Sequence, residues 1–147
     1  PFTSKSKFNY KKFYETTYEA QRLMDDLVDL ELEAIDRILT KVNNDTEPDF
    51  IKDVELRTWK LLQDAGKKGR RTGLGFTALA DAMAGLGHKF DSAEAISEVE
   101  KIMKSKCEAE FDSSIDMAIE RGKFEAFDST IENQSEFVQM MKKNMPG

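Results

Sequence analysis

Histidine and cysteine are almost missing from this sequence: its 147 residues hold one of each, His88 and Cys107. A lone cysteine forms no internal disulfide, and a lone histidine rules out a di-iron bundle, whose facing helices each bring a Glu-x-x-His pair. Proline is scarce too, with 3 in the chain, and only Pro48 lies away from the ends. Long periodic stretches can therefore run unbroken. No run approaches the roughly 18 consecutive apolar residues that a membrane helix requires. An excess of positive charge is also lacking: 22 Lys and Arg stand against 28 Asp and Glu, for a net charge of -6. Such a chain has no overall basic field to hold nucleic acid or an anionic membrane. No charged segment followed by an apolar one opens the sequence, so a reducing, cytoplasmic setting is the expectation.

What is present suits a folded helical protein. Apolar residues make up 39% and charged residues 34%, with 10 Phe and 7 Met, a balance found in soluble domains rather than in disordered chains. The length fits a single domain, residues 1–147, large enough to bury a core.

Apolar periodicity predicts a long helix from Tyr10 to about Val42, with Phe13, Thr17, Ala20, Met24, Leu27, Ile35, Ile38 and Val42 recurring mostly at three- and four-residue steps. Pro48 suits the first turn of a second helix, whose apolar face would be Ile51, Val54, Leu61 and Leu62, with Gly66 as its stop. A small-residue helix is expected from Phe76 to Leu86, ended by Gly87. Asp91-Ser92-Ala93-Glu94 has the spacing of a capping box. Behind it Ile96, Val99, Met103, Cys107, Phe111, Ser114 and Ala118 run down one face to Arg121-Gly122. After Phe127 a polar loop and a short amphipathic helix, Glu136 to Lys143, complete the chain. Nothing reads as a strand. The expected fold is all-α: two long antiparallel helices with shorter helices packed across them.

Three patterns invite a chemical reading. Asp25, Asp26 and Asp29 have the DDxxD spacing that sets carboxylates on one helical face, which in isoprenoid synthases holds Mg²⁺ and a diphosphate. That chemistry needs a second acidic cluster and a deep apolar cavity, so a solvated face, or one bonded to a partner, is preferred. Gly73-Leu74-Gly75-Phe76-Thr77-Ala78 fits G-x-G-x-x-A at a helix entrance. The apolar strand of a dinucleotide fingerprint should precede it, and Lys67, Lys68, Arg70 and Arg71 stand there instead. Two readings stay open for this stretch: an anion contact at Arg70, Arg71, Gly73 and Gly75, or a close-packed helix entrance whose arginines pair with carboxylates. Cys107 lies on an apolar stripe and reads as an inert thiol, and His88 as part of a turn. No catalytic, cofactor-binding or metal-ligating residue is identified.

The segment from Gly69 to Gly87, Gly-Arg-Arg-Thr-Gly-Leu-Gly-Phe-Thr-Ala-Leu-Ala-Asp-Ala-Met-Ala-Gly-Leu-Gly, closely resembles the RRTGLG-x-x-x-LAD-x-x-x-x-LG stretch of ribonucleotide reductase large subunits. Two more segments resemble that family in order and spacing, Tyr18 to Glu31 upstream and Ser113 to Gly122 downstream. Pro1-Phe2-Thr3 looks like the residues just after a redox-active cysteine strand. The run from Asp25 to Glu31 is closer to the adenosylcobalamin-dependent class. The chain departs from the family at Arg121-Gly122-Lys123-Phe124-Glu125, where relatives tend to have Arg-Gly-Ala-Phe-Pro.

The resemblance implies that this is the helical part of a ten-stranded α/β barrel enzyme that reduces ribonucleotides by radical chemistry. The thiyl-radical cysteine, the reducing cysteine pair and the phosphate-binding turns of that family fall outside this segment. Adenosylcobalamin is then expected in the intact enzyme and no cofactor for this chain alone. The expected partners are the remaining segments of the reductase large subunit, with self-association of the isolated chain into a homo-oligomer that covers its exposed apolar faces. The alternative is a stand-alone helical interaction module without enzyme activity.

Overall fold

The computed structural model describes residues 6–144, and it is all-α, with no strand among the described residues. Its helices are α1 (Tyr10–Asn43), α2 (Asp49–Gly69), α3 (Leu79–Leu86), α4 (Ala93–Arg121), α5 (Ser129–Gln134) and α6 (Glu136–Asn144). None of them is long and apolar enough to cross a membrane. The resemblance at Pro1-Phe2-Thr3 lies outside the described residues. The chain divides into two compact units. One holds Gly73–Asp116 with the chain up to Arg22, and the other holds Leu23–Thr72 with the chain from Met117 onward.

In the first unit the start of α1, α3 and most of α4 enclose a core of Met83, Ala95 and Ile102, covered by Phe8, Phe13, Leu79, Leu86 and Val99. Ring edges continue it outward, since Phe13 meets Phe8 at 5.2 Å and Phe76 at 6.1 Å between centroids. Helix α3 begins at Leu79 and not at Phe76 as the sequence suggests, because Ala78 takes a left-handed conformation with φ 63°. Gly87 ends it as expected. At φ 81° it lets its own N–H reach the Ala84 carbonyl and the His88 N–H the Met83 carbonyl, a closure open chiefly to glycine. Ser92 caps α4 by accepting from the Ala95 N–H at 3.2 Å.

The buried stripe of α4 is offset by one residue from the one expected. Ala95, Ile102, Ser105, Ala109 and Ser113 point inward, while Ile96, Met103 and Ser114 are exposed. Small side chains there allow a close approach to α1, and the Ser113 hydroxyl donates to the Tyr18 carbonyl at 2.9 Å. The expectation of antiparallel long helices is also corrected. Tyr14 donates to Asp112 and Tyr18 to Asp116, so one turn along α1 matches one turn along α4 in the same sense. The two helices run parallel. Only a short loop forces neighbouring helices to be antiparallel, and here α2 and α3 intervene.

In the second unit α2 runs antiparallel to α1, because Gln63 donates to Asp36 while Arg70, further on, reaches back to Asp25 and Asp29. Pro48 precedes α2 as its cap residue rather than entering its first turn. Gly66 does not stop the helix, which continues to Gly69. It faces α1, where an added Cβ would lie 3.1 Å from a Leu32 methyl. The apolar face expected on α1 is the one observed in this unit, at Met24, Ile35, Ile38 and Val42 joined by Val28 and Leu32, except that Leu27 is exposed. The face expected on α2 is not. On α2 the side facing α1 carries Leu56, Trp59, Gln63 and Gly66, whereas Ile51, Val54, Leu61 and Leu62 all lie exposed. Helix α5 replaces part of the expected polar loop, started by Asp128, whose carboxylate accepts from the N–H groups of Thr130 and Ile131.

Candidate functional site

The acidic turns of α1 and the basic end of α2 are the segments with the strongest chemical promise in the sequence, and they meet. Arg70 closes α2 in a left-handed conformation, φ 39°, which is unusual for a residue with a Cβ. From there its guanidinium lies along α1. Nε donates to Asp25 Oδ1 at 2.8 Å, Nη1 to Asp29 Oδ1 at 2.7 Å, and Nη2 to the Asp25 carbonyl at 3.1 Å. Arg121, the last residue of α4, donates from Nη1 to Asp25 Oδ2 at 2.7 Å and to Asp26 Oδ1 at 2.8 Å. Asp25 is the hub, bonded through both carboxylate oxygens and only 14% exposed at its side chain.

The electrostatics follow from the geometry. The Arg70 fork, then the second bond from Arg121, holds the Asp25 carboxyl below the usual carboxylate range against the opposing effect of partial burial. Arg70 is raised above its ordinary value by the same two aspartates. Charge-assisted bonds of this kind are stronger than neutral ones, and the forked, planar donor set fixes geometry as well as charge. What the arrangement does chemically is to consume its own charges. The DDxxD face that would hold Mg²⁺ is already filled by two guanidinium groups, and no group of three or more His, Cys, Asp or Glu placed to hold a metal exists among the described residues.

The residues singled out in the glycine-rich stretch do not share one role. Arg70 takes the carboxylate-pairing course. Arg71 is exposed and makes no ion pair among the described residues, and Gly73 and Gly75 are exposed with open space where a Cβ would stand. His88 sits in an open depression of about 400 Å³ lined with Glu94, Ser97, Glu98 and Lys101. Cys107 is partly buried on α4 and unpaired with any other cysteine.

Sequence reasoning missed a second polar seam, in the first unit. Tyr10 donates to Glu98 at 2.6 Å, Tyr14 to Asp112, and Tyr18 to Asp116 at 2.7 Å. Burial first, then the Glu98 bond, pushes the Tyr10 hydroxyl up to about 12; for Tyr14 the bond to Asp112 leads, also to about 12. The signal was available: Tyr10, Tyr14 and Tyr18 recur every four residues, as Asp112 and Asp116 do. Arg121 was also missed as a partner of the acidic face, having been read only as a helix end.

Comparison with known proteins adds the context that this geometry lacks. A family model described as the ribonucleotide reductase barrel domain matches residues 2–145. Two relatives, each described as a vitamin B12-dependent ribonucleoside-diphosphate reductase, come from Mycobacterium tuberculosis strains CDC 1551 / Oshkosh and ATCC 25618 / H37Rv. Each is 35% identical over 79 residues, which is 54% of this chain and 11% of the relative. The match thus spans about a tenth of those proteins. No solved structure gives a significant match.

Proposed function

This chain belongs to the ribonucleotide reductase barrel-domain family, and from that premise we propose that residues 1–147 act as one helical scaffold segment of a vitamin B12-dependent reductase. In the intact enzyme the reaction replaces the ribose 2′-hydroxyl of a ribonucleotide with hydrogen by radical chemistry, and adenosylcobalamin supplies the initiating radical. The relatives are named for ribonucleoside diphosphates, and that is the substrate proposed here.

The observation that carries the scaffold role is the closed Asp25–Arg70–Asp29 and Arg121 network. Its charges are spent on joining helices, so they are not free to meet a substrate. Two open depressions, of about 400 and 380 Å³ and lined mainly by charged side chains, support the same reading, since a corrin ring needs an enclosed, largely apolar pocket. On this reading other segments hold the cobalamin and the reacting nucleotide. This chain sets helices around them, and the exposed Arg71 would meet an anion on a covering segment. Isolated, it is expected to self-associate through its bare apolar surface, which light scattering would report.

Two measurements test the proposal. The chain alone, given ribonucleoside diphosphate, dithiol and adenosylcobalamin, should form no deoxyribonucleotide. A full-length relative in which this chain replaces the matching segment should be soluble and active. Turnover by the chain alone, or a chimera that folds but never turns over, would overturn the scaffold role.

A further inference from the structure

Helix α2 has two apolar faces, and α1 accounts for one. Positions Leu56, Trp59, Gln63 and Gly66 step by three and four along the side that meets α1. Phe50, Ile51, Val54, Leu61 and Leu62 fall within about 120° of arc on another side. They are bare: Phe50 is 72% exposed, Val54 62% and Leu61 64%, and the helix as a whole has no buried residue. Single exposed apolar residues need no explanation, whereas a continuous stripe along a helix marks a surface that is normally covered.

We infer that this outer stripe of α2 docks on the strand barrel built by the reductase polypeptide beyond this segment. The inference rests on the scaffold reading and deepens it by naming the face. The family is described as a barrel domain, and the described residues hold no strand. The curated relatives extend far beyond the matched region, which is 11% of their length. A parallel barrel sheet is covered by helices, and its outward face is rich in branched apolar side chains, the chemistry that Phe50, Val54 and Leu61 would meet. A second copy fits less well as the natural occupant. The stripe offers five large side chains, against the roughly 20–30 residues a side of a stable interface between proteins.

The test uses the full-length chimera described above, together with the isolated chain. V54D and L61D are placed together in each; neither side chain is buried in the chain itself, so its fold should survive. The expected result is a chimera whose melting temperature falls by about 5 °C or more as two charges are forced against the barrel, while the isolated chain shifts by roughly 1 °C or less. Ile131→Asp, on α5 and equally exposed, serves as the control and should leave the chimera unshifted. A chimera that tolerates the paired aspartates as well as the isolated chain does overturns this inference and leaves the scaffold reading intact. So does an isolated chain whose dimer the substitutions dissolve while the chimera is indifferent, which would assign the stripe to a second copy. A chimera that fails to fold with the unaltered chain removes the scaffold reading, and this inference with it.

Discussion

The two units of this chain are stabilised by different physics. The first closes over an apolar core, with Met83 and Ile102 each 1% exposed, and its polar seam joins neutral hydroxyls to carboxylates. The second buries Ile35, Val42 and Met117 but leaves most of the chain's exposed large apolar side chains on its surface, and its polar seam joins full charges. Burial stabilises without a partner; exposed stripes and clamped charges position a surface for something else. The difference suggests that the first unit carries its own stability and that the second is shaped for contact.

The largest effect should come from the core. Met83→Ala would leave a cavity under Phe13 and Leu86 and cost about 2–5 kcal/mol, read by denaturant unfolding. A loss below about 1 kcal/mol would mean that the first unit is no better packed than the second, and the comparison would fall. Next is Arg70→Met, which removes two carboxylate bonds and the bond to the Asp25 carbonyl while keeping the aliphatic stem and the backbone cap of α2. Asp25 would keep Arg121, so the expected loss is about 1–3 kcal/mol. Arg70→Lys should recover less than half of it, because an ammonium cannot reach both Asp25 and Asp29 as a planar fork does. Full recovery by lysine would show that charge alone matters there.

The pH response separates the units from the alkaline side. Tyr10 and Tyr14 are raised from 10.0 to about 12, so the folded state favours their protonated forms. Stability from them is complete below about pH 10 and is lost as pH rises toward 12, where tyrosinate would face carboxylate. Asp25 is lowered, so its contribution is complete above the ordinary carboxylate range and is lost only as pH falls below about 4. Glu98, held low by Tyr10, gives the first unit some acid sensitivity as well, so the alkaline limb is the cleaner contrast. Melting followed from pH 8 to 12 should show a decline that Tyr14→Phe reduces and Arg70→Met leaves unchanged.

The helices were legible in the sequence because their signals are local. Ser92, within the expected capping box before α4, and Gly87 after α3 act within a few residues of where they stand. The inward side of α2 and α4 was not legible. Ile96 and Met103 outweigh Ala95 and Ala109 in apolarity, yet α4 packs through the small residues because close approach to α1 requires them. On α2 the heavier stripe was assigned inward, although the strongest apolar face of a helix need not meet the rest of its own unit. The network at Asp25 was half legible: spacing put the aspartates on one face and pairing was open for Arg70, but Arg121 joins from far along the chain.

The smallest effect offers the finest discrimination. Gly66 lies within α2, where replacing glycine by alanine ordinarily stabilises a helix by about 1 kcal/mol through the entropy of the unfolded chain. Against that, the new methyl would sit 3.1 Å from the Leu32 Cδ2 atom, too near for comfort by a few tenths of an ångström. The atom in the way ends a flexible, partly exposed side chain, so in a loosely packed unit Leu32 should turn aside at little cost. Gly66→Ala is therefore expected to be neutral or to stabilise by up to about 0.5 kcal/mol in denaturant unfolding. If it instead destabilises by more than about 1 kcal/mol, the α1–α2 contact is as unyielding as a core, and the second unit could no longer be described as the softer, contact-making half of the chain.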